Sequence, residues 1–160
     1  MPVPQFILDL RTHIGHAPLW LMGANALILR DQKEVLLVRR SDTGEWAPVS
    51  GIVDPAEHPT DTIVREAMEE AGVQIDVERM LWCAVTEAQV CPNGDQVQFL
   101  DHGYRARWVS GEPAVGDDES TAVGWFPVDQ LPEPRQPRLT AMVRLALEDP
   151  RDVVSVLDEE

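Results

Sequence analysis

Positive charge is scarce in this chain. Thirteen lysines and arginines stand against 28 aspartates and glutamates, a formal net charge of −15 over 160 residues. Nonspecific binding to a nucleic-acid polymer or to an anionic membrane wants a basic surface, so both are disfavoured as partners. A nucleotide is not excluded, because bound cations neutralise phosphates locally. Cysteine is scarce as well: Cys83 and Cys91 have no metal-type pairing nearby and read as reduced thiols of a cytoplasmic protein. The first twenty residues carry Asp9, Arg11 and two histidines with no continuous apolar run, so neither a signal peptide nor a spanning segment is expected. Repeats and linkers are missing too, and residues 1–160 suit one domain with a sizeable core.

What is present alternates between strand-like and helix-like stretches. Residues 4–12 read as a short amphipathic helix with Phe6, Ile7 and Leu10 on one side, part of a helical extension over 1–19 that packs on the domain or across a homodimer interface. His13 and His16, separated by Gly15, suit a local turn better than a helical metal pair. Trp20–Leu29 and Val35–Arg40 read as a hairpin across a polar turn. Further strands are expected around Met80–Val85, over Gln96–Trp108 after an Asn-Gly turn, and over Ala122–Phe126 beyond an acidic loop at Gly111–Ser120. A terminal amphipathic helix is expected over 138–148, followed by an acidic tail, 149–160, that frays. Periodicity alone yields a mixed α/β domain.

The informative stretch is Gly51 to Val73. Its second half reads as a helix, with Pro59 at the first helical position, Asp61 in the first turn and Gly72 as the stop. Ile63, Val64, Ala67, Met68 and Ala71 recur at helical spacing and are expected to face the core. Glu66, Glu69 and Glu70 then fall within an arc of roughly 100° on the opposite side. This placement opposes helix stability. Glu66 and Glu70 are a like-charge pair four apart, costing roughly 0.2–0.5 kcal/mol, and two acids occupy the last turn, where the dipole favours cations. Exposed acidic helix faces are common, but local rules broken together mark functional sites, and clustered carboxylates suit hard divalent cations.

The spacing is Gly51, five residues, Glu57, seven residues, then Arg65-Glu66-Ala67-Met68-Glu69-Glu70-Ala71-Gly72-Val73. It resembles the complete signature of the Nudix (MutT-like) hydrolases, G-x5-E-x7-R-E-U-x-E-E-x-G-U with U apolar. The resemblance implies an α/β/α sandwich with a mixed β-sheet, a short N-terminal helix and a C-terminal helix. It also implies Mg²⁺-dependent (or Mn²⁺-dependent) hydrolysis of a nucleoside diphosphate linked to another moiety, X. Glu66, Glu69 and Glu70 would supply carboxylates to the metal and Gly51 its backbone carbonyl. Arg65 would pair with Glu57 or orient a neighbouring glutamate. The base would be Glu66 or an acid from a later loop, for which Glu119, six residues before Trp125, has a spacing similar to that in relatives. Family members usually approach the signature through Pro-Gly-Gly. Here Ser50 replaces the first glycine, and an altered backbone is expected because serine tolerates positive φ less well.

Arg39 and Arg40 are candidates for phosphate contacts or for surface ion pairs. Trp46 is one of several aromatics suited either to stacking a nucleobase or to core packing, and His102 either lines the cleft or is a structural histidine. The subgroup markers are absent: Ala88 stands where an ADP-ribose subgroup carries proline, and residues 89–91 carry no tyrosine. A catalytically silent domain that binds a nucleotide as sensor or scaffold is the alternative, opposed by the intact glutamates. An isomerase acting on an allylic diphosphate is a third reading, opposed by the lack of a well-placed cysteine.

Overall fold

The structure is a computed structural model describing residues 3–157. Its centre is β1 (Leu19–Arg30), whose residues from Ala24 to Leu29 are all buried. Such a run fits a strand covered on both faces. Ala24, Ala26 and Ile28 point into one core with Ile63, Ala67 and Ala71 of the helix α2 (Pro59–Ala71). Leu27 and Leu29 point into the other with Leu139, Met142, Val143 and Ala146 of α3 (Leu139–Glu148). The sheet therefore lies between two helices, the α/β/α sandwich expected from the sequence.

β1 runs parallel to β7 (Gln96–Ser110), from Leu19 opposite Val97 to Leu29 opposite Arg107. β7 pairs in turn with β5 (Gln74–Val85), antiparallel and with register shifts. On its other side β1 takes β4 (Val49–Ile52), antiparallel, from Ala26 opposite Val49 to Gly23 opposite Ile52. The expected hairpin exists only at its tip. β1 and β2 (Glu34–Arg40) share the pairs Leu29 with Val35 and Arg30 with Glu34, after which that edge of β2 turns away to β3 (Trp46–Ala47), while its other edge pairs with β8 (Ser120–Pro127) from Glu34 to Arg40. That divergence lets β4 enter beside β1. A two-residue β6 (Gln89–Val90) lies along the start of β7.

Both ends of the chain depart from expectation. The N-terminal helix α1 spans Gln5–Ile14, but Ile7 alone among its apolar residues is buried, and Leu10, expected inward, is exposed. Its C-terminal end is tied down through Arg11, which donates to the carbonyls of Gly15, Ala17 and Gln96. The tail does not fray over its described part. Val154 exchanges backbone hydrogen bonds with Leu81 and Cys83 on β5, and Val154 and Leu157 pack on the second core. Residues 158–160 of the expected tail lie outside the described residues. Cys83 and Cys91 are free and half-buried. No helix among the described residues is long and apolar enough to cross a membrane.

Candidate active site

α2 begins with Pro59 at its first turn and ends at Gly72, in the left-handed conformation at φ 69°. The Gly72 N–H donates to Met68 O, the single bond of an αL stop, and that of Val73 reaches Ala67 O. The boundaries match the sequence reading, but the orientation does not. Thr62, Ile63, Glu66, Ala67, Glu70 and Ala71 are buried, whereas Val64 and Met68, expected inward, are 44% and 46% exposed. Two of the three glutamates thus lie on the core side: Glu66 is 2% exposed and Glu70 8%, while Glu69 faces solvent.

Groups brought from elsewhere make that burial possible. Gly51 leaves the space that Glu66 fills, since a Cβ at Gly51 would lie 2.6 Å from both Cγ and Cδ of Glu66. Ser50 and Gly51 sit in the extended strand β4, and neither has a positive φ. Ser50 therefore carries no positive-φ strain. Gly51 is required by the approach of Glu66, not by its own dihedral angles.

Arg65 is the hub of the polar contacts. Its Nε and Nη2 donate to Glu57 Oε1 and Oε2 at 2.9 and 3.0 Å, a fork on a carboxylate. Nη1 donates to Glu66 Oε1 at 2.7 Å and to Glu69 Oε2 at 3.1 Å. The Thr62 hydroxyl adds a 2.8 Å bond to Glu57. The Arg65 guanidinium, aided by Thr62 and opposed by burial, holds the Glu57 pKa down at about 2. Glu66 responds oppositely: burial pushes it up to about 7, because the Arg65 charge that opposes this is shared among three carboxylates. Burial also raises Glu70, against a hydrogen bond from Ser120.

The acidic loop before β8 closes the C-terminal end of the helix. Ala114 N–H donates to Ala71 O and Gly116 N–H to Glu70 O, satisfying helix-end carbonyls. Ser120 Oγ then donates to Glu70 Oε1 at 2.8 Å. Glu119, half-buried, stands one residue away, and its carbonyl accepts from Ser41 N–H at the end of β2. Arg40 forks onto Asp42 and its charge is felt by Glu70.

The structure thus brings together Gly51, Glu57, Arg65, Glu66, Glu69 and Glu70, with Glu119 and Arg40 bordering them. The other sequence candidates are engaged elsewhere. Arg39 donates to Gly44 O, Trp46 stacks edge-on against Phe126 at 4.6 Å, and buried His102 donates through Nδ1 to Gly23 O. Asp101, beside His102, accepts from Asn25 Nδ2 at 2.6 Å and Trp82 Nε1 at 2.9 Å. Ser120 and Thr62 were not singled out by the sequence, and no local pattern could have shown that Ser120 meets a carboxylate fifty residues away.

The donor set suits a hard divalent cation: carboxylates with surplus negative charge, and Glu70 Oε2 buried with no hydrogen-bond partner. Among the described residues no three acidic, histidine or cysteine side chains converge on one point, because Glu66 and Glu69 are turned onto Arg65. Taking up a cation requires those two to swing from the guanidinium.

The NUDIX domain family model matches residues 20–146. A Bacillus subtilis protein whose name proposes an 8-oxo-dGTP diphosphatase is 37% identical, the match covering 71% of this chain and 71% of that protein. The NAD-capped RNA hydrolase NudC of Pseudomonas fluorescens is 33% identical over 62% of this chain. The chain spans only 34% of that relative's length. A crystal structure of an ADP-ribose pyrophosphatase from Streptococcus suis superposes with a TM-score of 0.64 at 26% identity, covering 85% of this chain and 96% of the other.

Proposed function

The chain belongs to the Nudix family of hydrolases, and from that premise we propose that it hydrolyses the pyrophosphate bond of a nucleoside diphosphate linked to another moiety. The substrate is a nucleotide sugar such as ADP-ribose or a (deoxy)nucleoside triphosphate, and the cofactor is Mg²⁺, with Mn²⁺ as a substitute. The names pyrophosphatase and diphosphatase carried by two relatives support the bond that is broken. The net charge of −15 favours a small substrate over a polymer.

The observation that carries this reading is the buried, unpartnered Oε2 of Glu70 beside the buried Glu66. A buried carboxylate oxygen without a hydrogen-bond partner is unfavourable until a proton or a cation takes it, and a cluster of carboxylates suits the cation. Glu66, Glu69 and Glu70 would hold the cation, with the Gly51 carbonyl. A bound divalent cation there supplies charge neutralisation for phosphate oxygens and acidifies water. Glu66, buried beside Arg65, is one carboxylate suited to accept the proton of the attacking water. Glu119 is the second carboxylate the fold sets beside this site, next to the residue that holds Glu70. Arg65 orients Glu66 and Glu69 while anchored on Glu57, and Arg40 lies where a phosphate oxygen could draw it from Asp42.

A panel of ADP-ribose, NAD, dGTP and 8-oxo-dGTP with Mg²⁺, scored by release of mononucleotide or phosphate, tests the proposal. Glu69→Gln and Glu70→Gln are expected to lower turnover of the best substrate by about 100-fold or more while the fold is kept. Binding without turnover across the panel would favour the silent nucleotide-binding alternative. Parental rates in both variants would remove the metal assignment.

A further inference from the structure

We propose that the N-terminal helix α1 receives the nucleobase of the substrate, in a cavity that it forms with the signature helix α2. This deepens the pyrophosphohydrolase reading and rests on it. The cavity, about 730 Å³, has Val3, Phe6 and Leu8 on one side and Pro55, Arg65 and Glu69 on the other. That volume is of the order that holds a small organic ligand. α1 lies outside residues 20–146, the part that the family model matches, yet it shares this cavity with two charged residues of the signature.

α1 is held as a fixed wall. Ile7 is buried, and Arg11 at the far end donates to the carbonyls of Gly15, Ala17 and Gln96 and pairs with Asp95. Phe6 and Leu8 flank Ile7 and are left at the cavity, Leu8 46% exposed. The charges decide which end of a nucleotide enters. Asp54 and Glu69 are acidic, and the Arg65 guanidinium is already bonded to Glu57, Glu66 and Glu69. A phosphate gains nothing among these groups. An uncharged heterocycle does, because its faces pack on Phe6, Leu8 and Pro55 while Gln5 and Asp54 offer acceptors to an exocyclic amino group. Glu69 belongs both to this cavity and to the glutamates that would hold the cation, so a nucleotide with its phosphates at those glutamates has its base beside α1.

The test compares two probes that are not hydrolysed, with Mg²⁺ present and the full chain. They are α,β-methylene-ADP and methylene diphosphonate, the same bridged group without the nucleoside, and binding is followed by calorimetry. Phe6→Ala is expected to lower the ratio of the two affinities by about 10-fold, as loss of an aromatic platform for one base does, with the diphosphonate alone held within twofold. Should that variant not fold, Leu8→Ala, at a more exposed side chain, carries the same reading with a fall of about threefold. Leu10→Ala, on α1 but outside the cavity lining, is expected to leave the ratio unchanged. A ratio within twofold of the parent's in Phe6→Ala, an equal loss of both probes, or the same fall in Leu10→Ala overturns the proposal and leaves the hydrolase reading standing. Dissociation of a dimer in Phe6→Ala, seen by sedimentation with the ratio unchanged, gives the cavity to a second copy of the chain and overturns it as well. A parent that binds neither probe overturns the proposal together with the reading beneath it.

Discussion

Replacing Gly51 by alanine should damage both catalysis and stability, while replacing its neighbour Ser50 by glycine should change neither much. The added Cβ at residue 51 would lie 2.6 Å from Glu66 Cγ and Cδ, where carbon atoms settle at roughly 3.5–4.0 Å. Relief therefore requires the Glu66 side chain to move by about 1 Å. Glu66 is 2% exposed and bonded to Arg65, so it has no free space to retreat into, and the overpacking should cost about 1–3 kcal/mol. A displacement of that size in a reacting group lowers turnover by about 100-fold. Ser50 is in extended backbone, so Ser50→Gly should cost no more than about 1 kcal/mol and keep kcat within about threefold. Both variants are compared with the parent by kcat at saturating Mg²⁺ and by urea unfolding. Parental kcat in Gly51→Ala, or the larger loss in Ser50→Gly, would show that Glu66 does not depend on the empty space at Gly51.

Two further outcomes follow from the same geometry. The folded Glu57 pKa of about 2 lies below its ordinary 4.5, so its contribution to stability is present above about pH 4.5 and fades as pH falls toward 2. At roughly 1.4 kcal/mol per tenfold change in proton affinity the limit is about 3 kcal/mol, reduced by partial solvent access to about 1–2. Unfolding free energies measured across that range should fall less steeply for Glu57→Gln than for the parent, and equal slopes would contradict the assignment. Gly103→Ala would drive a Cβ into the indole of fully buried Trp82, which also donates to Asp101. A loss of about 2–3 kcal/mol is expected, seen as a lower urea midpoint at unchanged slope, and an unchanged midpoint would refute it.

The signature helix was legible because its stops and charge spacing are local. Pro59 and Gly72 mark ends that the structure keeps, and Arg65 meets Glu57 across a short loop. The direction in which the helix faces was not legible. Apolar spacing put Val64 and Met68 inward, but burial is decided by what approaches the helix. Gly51 opposite Glu66 and Ser120 opposite Glu70 come from strands far away in the chain. The β1–β2 hairpin misled for a similar reason. Its turn is local and correct, but the two pairs at the tip are all that the strands share, because β4 takes the rest of that edge of β1 and β3 the end of that edge of β2. At the C-terminus, composition suggested a solvated tail, while Val154 and Leu157 carry the apolar contacts that dock it. Site residues within the signature could be read from the chain, and Ser120, supplied by a strand fifty residues away, could not.

The orientation that sequence periodicity missed also explains the charge placement that looked unfavourable. On a solvated face, Glu66, Glu69 and Glu70 would repel one another weakly through water, and there would be little gained by binding a cation. Turning Glu66 and Glu70 inward removes that screening. Three carboxylates, Glu57, Glu66 and Glu69, then share a single guanidinium, and Glu57 takes the fork of Arg65 most completely. What remains for Glu66 is one shared hydrogen bond from Arg65, too little to offset burial. Glu70 has the Ser120 hydroxyl, some help from the Ser50 backbone N–H, and an Oε2 with no close hydrogen-bond partner among the described residues. The fold supplies enough partners to keep these acids inside but too few to satisfy them. The cation proposed for this site would relieve that shortfall, which arises because the helix shows its apolar Val64 and Met68 to solvent instead.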